Sequence, residues 1–149
     1  MLKLISQILI FIASTAAAFA PYSVFAQTQS DAEMAASQFL QRFDGAVAPS
    51  TIYDAQMSAN FKSNLTRQKF SENIGMMRIQ MGGGSSSRQL MGSQSLSQLQ
   101  GVASAGPFYY FRYVSNYPVA RFGQDVTLER EGNSWKVVGF YFFVLPQSQ

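Results

Sequence analysis

The chain has no histidine and no cysteine in 149 residues, and only 13% of its residues are charged. Without histidine, no side chain titrates near neutral pH at its ordinary value. The Ser-His-Asp and Cys-His arrangements for nucleophilic attack go with it. Most zinc sites draw on the same two residues, so no metal and no cofactor is expected. The missing thiols also exclude disulfides and a cysteine-linked lipid anchor. Basic residues outnumber acidic ones, 11 to 8, yet they stand singly along the chain. A nucleic-acid surface gathers such residues on one face, so no nucleic-acid partner is expected.

What is present begins with a leader-like stretch. Met1-Leu2-Lys3 is a short positive start, and Leu4 to Ala20 is a run without charge. Val24-Phe25-Ala26 follows as a small-residue processing site. Cutting after Ala20 instead would leave Pro21 just past the bond. The pattern predicts a signal peptide over 1–26 and one domain over 27–149, periplasmic or secreted and free of the membrane after cleavage. The competing reading is an uncleaved anchor, for which the run is somewhat short of the roughly 20 apolar residues a spanning helix needs.

Helical spacing comes first. Ser30-Asp-Ala-Glu33 has the form of a capping box, and Ala32, Ala36, Phe39, Leu40 and Phe43 make one apolar stripe. A helix is expected over Asp31–Asp44. A second, capped by Ser50 or Thr51, carries Ile52, Tyr53, Met57 and Phe61. A third opens at Thr66 and aligns Phe70, Ile74, Met77 and Met81 before Gly82, a natural left-handed stop. Strands follow at Arg88–Gln100, Phe108–Tyr117, Gln124–Arg130 and Ser134–Val144. Helices first and strands afterwards predict an α+β domain, three N-terminal helices on a four-stranded antiparallel sheet.

The stretch Met81-Gly-Gly-Gly-Ser-Ser-Ser-Arg88 resembles a phosphate cradle in composition only. Such a loop needs a strand before it, a helix after it and a lysine behind its last glycine; here the order is reversed. The glycines are read as a turn. Arg88 then aims at a ligand carboxylate or closes an ion pair. On β-alternation, Trp135, Val137, Gly139 and Tyr141 share one face of the last strand, and Lys136, Val138, Phe140 and Phe142 share the other. Both faces are apolar, so the outer one is expected to be covered by a second copy or by the chain itself. Tyr109, Phe111, Tyr113 and Tyr117 line a strand face that either fills a core or walls a pocket.

With imidazole and thiol absent, carboxylates and phenols are left for chemistry. Tyr53-Asp54 is the adjacent pair suited to proton transfer in an apolar pocket.

Ala35-Ala36-Ser-Gln-Phe39-Leu40, Tyr53-Asp54-Ala55, Ser87-Arg88 and the hairpin VTLEREGNSWKVVGFY over 126–141 resemble the domain-of-unknown-function 4019 family of small exported bacterial proteins. Tyr53 departs from it, since the family typically has Trp there. The resemblance extends to nuclear-transport-factor-2-like, cystatin-like cones, in which a curved sheet wraps the first helix. It implies no established catalytic residues. The expectation is a non-enzymatic exported domain that binds a small apolar ligand or a protein partner, with a homodimer through the outer sheet face. Its candidate ligand-binding residues are Tyr53, Arg88, Phe111, Tyr113, Trp135 and Tyr141. The alternative is a small-pocket lyase or isomerase using Tyr53-Asp54, with Arg88 orienting the substrate.

Overall fold

The computed structural model describes residues 20–146, so most of the expected leader lies outside the described residues. Two compact units divide between Asp31 and Ala32. The described part of the first is the opening of helix α1, Ala20–Asp44. Everything else belongs to the second: α2 (Pro49–Gln56), α3 (Ala59–Asn64), α4 (Arg67–Met81), then β1 (Ser87–Leu96), β2 (Phe108–Asn116), β3 (Arg121–Glu131) and β4 (Ser134–Val144). The strands form one antiparallel meander in the order β1-β2-β3-β4. The fold is therefore α+β with an antiparallel sheet.

Four helices are described where three were expected. The difference lies at Met57-Ser58. Met57 is extended and forms a parallel bridge with Val137 on β4. The Ser58 N–H donates to the Val137 carbonyl at 2.9 Å, and the Ser58 hydroxyl then caps α3 by accepting from Phe61 N–H. A backbone bond to a strand about eighty positions later replaces a helical one, and local periodicity carries no trace of it. Helix α1 also begins before Asp31, so Ser30-Asp-Ala-Glu33 lies inside the helix and does not open it.

The apolar stripe of α1 lands where its spacing places it. Ala32, Ala36, Phe39, Leu40 and Phe43 are buried with Ile52, Phe70 and Ile74 from α2 and α4. The sheet answers with Tyr109, Phe111, Tyr113, Val126, Leu128 and Val137. Thr66 caps α4 through its hydroxyl, and Gly82 ends it at φ 74°, both as the sequence predicts. Arg78 near the end of α4 donates to the Phe43 and Arg42 carbonyls at 2.7 and 2.9 Å. Those carbonyls are the orphan acceptors of the α1 terminus.

The face assignment of β4 needs a correction. The β3–β4 register shifts at Thr127/Leu128: Thr127 faces Gly139 while Leu128 faces Val137, leaving Val138 as the extra residue of a bulge. The bulge reverses the alternation. Trp135 and Val137 face the helices before it, and Phe140 and Phe142 face them after it. The Phe140 ring centroid lies 5.3 Å from Phe39, and that of Phe142 lies 4.8 Å from Phe43. Tyr141 and Phe143 stack together on the opposite face. Much of the double-sided apolar character of β4 thus comes from one inserted residue.

Candidate binding groove

The six candidate ligand residues do not converge. Phe111 and Tyr113 lie on the inner face of β2 within the core. Trp135 meets Tyr109 edge-on, with ring centroids 5.2 Å apart. Tyr53 is buried among Phe61 and Phe70, and its hydroxyl donates to the Leu65 carbonyl at 2.8 Å. Its neighbour Asp54 is exposed and holds Arg67 at 2.8 Å; that bond keeps its carboxyl below the usual carboxylate range. Tyr141 points out of the other face, 66% exposed.

Arg88 closes an ion pair. Its Nη2 lies 2.6 Å from Asp44 Oδ2 at the end of α1, and its Nε donates to Ser115 Oγ and Gln124 Oε1. Tyr117 donates its hydroxyl to the other oxygen of Asp44 at 2.6 Å, and Gln124 Nε2 donates to that phenol. Ser85 donates to Asp44 as well. Burial pushes the Tyr117 phenol well above its ordinary pKa, and the Asp44 carboxylate adds to that. Such a cluster offers neither a base nor a free fork: it clamps the start of β1 to the end of α1. The glycine-serine stretch is part of the same clamp. A Cβ on Gly84 would sit 3.1 Å from the Asp44 carbonyl oxygen, so a side chain there would crowd the end of α1 beside the clamp that Ser85 joins.

Tyr113 is different. It is 4% exposed, its hydroxyl has no hydrogen-bond partner among the described residues, and burial, aided by Glu33, pushes its pKa up to about 12. The phenol stays protonated across the physiological range and is unsuited to act as a base.

Open space lies elsewhere. A groove of about 420 Å³ runs between the last turns of α4 and the second half of β4. Met77, Gln80 and Met81 form one wall. Phe122 and the segment Phe140–Val144 form the other. The lining is methionine and aromatic with Gln80 as its one amide, the make-up of a site that takes apolar groups and orients them with few polar contacts. A second hollow of about 550 Å³ is lined by Ser95, Leu96, Ser97, Ala105, Gly106 and Pro107, with no ring among them except proline. Of the groove residues, Tyr141 alone was a candidate from the sequence. The signal that marks the others is the charge-free run from Val137 to Pro146, beside methionines at helical spacing. Among the described residues no cluster of three or more acidic, histidine or cysteine side chains could hold a metal. No described helix is long and apolar enough to cross a membrane.

A family model described as "Protein of unknown function (DUF4019)" matches residues 35–140. The chain belongs to the DUF4019 family. The matched region of this DUF4019 protein spans the last ten residues of α1, all of α2 to α4 and the sheet as far as Phe140, where the groove's β4 wall begins. No curated protein and no solved structure matches the chain.

Proposed function

We propose that this DUF4019 protein is a non-catalytic, exported binding domain that holds an apolar ligand in the groove between α4 and β4. The observation that carries the reading is the groove lining: methionine and aromatic walls, one amide, and no ionisable group other than the exposed Tyr141 phenol. Catalysis draws less support. Tyr53 and Asp54 are each engaged by other residues, and Arg88 is held by Asp44 and its neighbours. Export is supported by Met1-Leu2-Lys3 and the uncharged run behind it. N-terminal sequencing of protein recovered from the periplasm should begin at Gln27, and a start at Met1 would refute cleavage.

The finer fold reading, a cystatin-like cone, is supported by helices on one face of a four-stranded meander. Bulges on β1 and β4, the two edge strands, supply curvature. The groove reading is tested with phenylnaphthylamine, an apolar dye that brightens when it leaves water. It should show saturable binding to the wild type, and Met77→Glu should weaken that binding by about tenfold or more. Dye uptake that never saturates, or that Met77→Glu leaves unchanged, overturns the assignment.

A further inference from the structure

Among the described residues, no strand covers the second half of β4. In its first half the sheet edge is closed by the Met57 bridge and by Ser58 N–H on the Val137 carbonyl. Past the bulge, no described strand lies beyond β4. Leu145 N–H donates to the Arg121 carbonyl at 2.9 Å, which fixes the phase of the ladder. By antiparallel alternation, the backbones of Tyr141 and Phe143 turn toward β3, and those of Phe140, Phe142 and Val144 turn toward the open side. Proteins guard such edges with lysine, proline or a bulge. Here Gly139 to Val144 carries none of these, and Tyr141 and Val144 are exposed beside it.

We propose that β4 pairs antiparallel with β4 of a second copy of this chain, on a twofold axis at Tyr141, joining two sheets into one of eight strands. This goes beyond the ligand reading, because pairing uses the backbone edge and ligand capture uses the side chains of the groove. Four features select a second copy as the occupant. The register that centres on Tyr141 sets Phe140 against Phe142 of the other copy, so the outward-turned backbones meet and form four hydrogen bonds. It keeps helix-facing rings together and sets outer rings together, with no residue crossing faces. On the outer face it places Phe143 opposite Gly139, where a Cβ would meet nothing within 4 Å, so the ring has room. The charge pattern agrees: the run from Val137 to Pro146 is neutral, so a copy of itself brings no like charge across the axis. Specific interfaces bury about 800 Å² per partner. The edge backbone, Tyr141, Val144 and the half-buried rings beside them are the surface available for that, which places the dimer among the weaker, concentration-dependent ones.

The absence of cysteine makes the register directly testable. Residues facing each other at a non-hydrogen-bonded antiparallel pair have Cβ atoms about 5 Å apart, close to disulfide reach. Under mild oxidation, Tyr141→Cys should therefore give a covalent dimer, and Met91→Cys on the edge strand at the other side of the sheet should give none. Both sites are exposed, and circular dichroism checks that both variants are folded. Sedimentation of the unmodified chain from about 1 to 100 µM should show reversible doubling of mass, and Tyr141→Lys, which puts two ammonium groups face to face, should abolish it. A wild type that stays monomeric over that range, or equal cross-linking at 141 and 91, overturns the pairing. A monomer that still binds dye saturably removes the dimer and leaves the groove reading standing; a dimer that binds none does the reverse.

Discussion

The two edges of the sheet are built on opposite rules. β1 is a strand of serine and glutamine, exposed along most of its length and broken by a bulge at Met91. Its anchoring residue, Arg88, is spent on Asp44. β4 is aromatic and uncharged past Lys136, and its bulge falls early, leaving six regular residues beyond it. An edge strand that is polar and irregular is a poor template for another chain, so β1 terminates the sheet. β4 does double duty, filling the core with one set of rings and presenting the other. The contrast teaches that edge protection is a local choice, made separately at each side of one sheet.

Four measurements break or sharpen the contrast, from the largest effect down. Phe140 on β4 packs against Phe39, Phe61, Phe70 and Phe142. Phe140→Ala should cost about 4 kcal/mol in urea unfolding, against about 1 kcal/mol for Leu90→Ala on half-exposed β1. Equal losses would mean that β1 carries as much of the core as β4. Next comes the clamp that gives β1 its footing. Arg88→Met leaves the mostly buried Asp44 carboxylate without its cation and should cost about 3 kcal/mol; a loss below about 1 kcal/mol would reduce the clamp to a surface pair.

The two buried phenols near β1 differ more subtly. Tyr117→Phe removes a bond to Asp44 and should cost about 1 kcal/mol, whereas Tyr113→Phe removes a hydroxyl with no partner among the described residues and should be neutral or slightly stabilising. Both phenols titrate higher in the folded protein than in the unfolded chain. Their contribution to stability is therefore complete below pH 10 and fades as pH climbs toward about 12, where Tyr113 ionises. Replacing both by Phe should flatten that alkaline decline, and a decline of unchanged slope would assign it to other groups. The smallest effect is Met91→Lys, expected within about 0.5 kcal/mol of wild type and without influence on association. If it weakened a dimer, β1 and not β4 would be the pairing edge.

The bounds of β4, the Thr66 cap and the Gly82 stop were legible because each rests on neighbours in sequence. The inward tyrosines of β2 were legible because an aromatic strand covered on one face leaves them one place to go. What escaped depends on distant partners. The break at Met57-Ser58 exists because Val137 lies alongside. The bulge at Val138 was hidden because apolar residues flank it on both sides, so an inserted residue leaves the pattern looking two-faced. Arg88 could be narrowed to a ligand or an ion pair, but Asp44 as its partner required the fold to bring two residues 44 positions apart together. The groove was legible only through Tyr141; its other wall, Met77 and Met81, read as core because the same spacing serves both ends.

The chain's single tryptophan stands at the far end of β4 from the groove. Seven positions along a strand separate Trp135 from Phe142, roughly 23 Å at the usual rise. With Tyr109 packed edge-on against it, Trp135 is placed to collect excitation energy from that phenol. It is a built-in optical reporter of whether the hairpin end is intact.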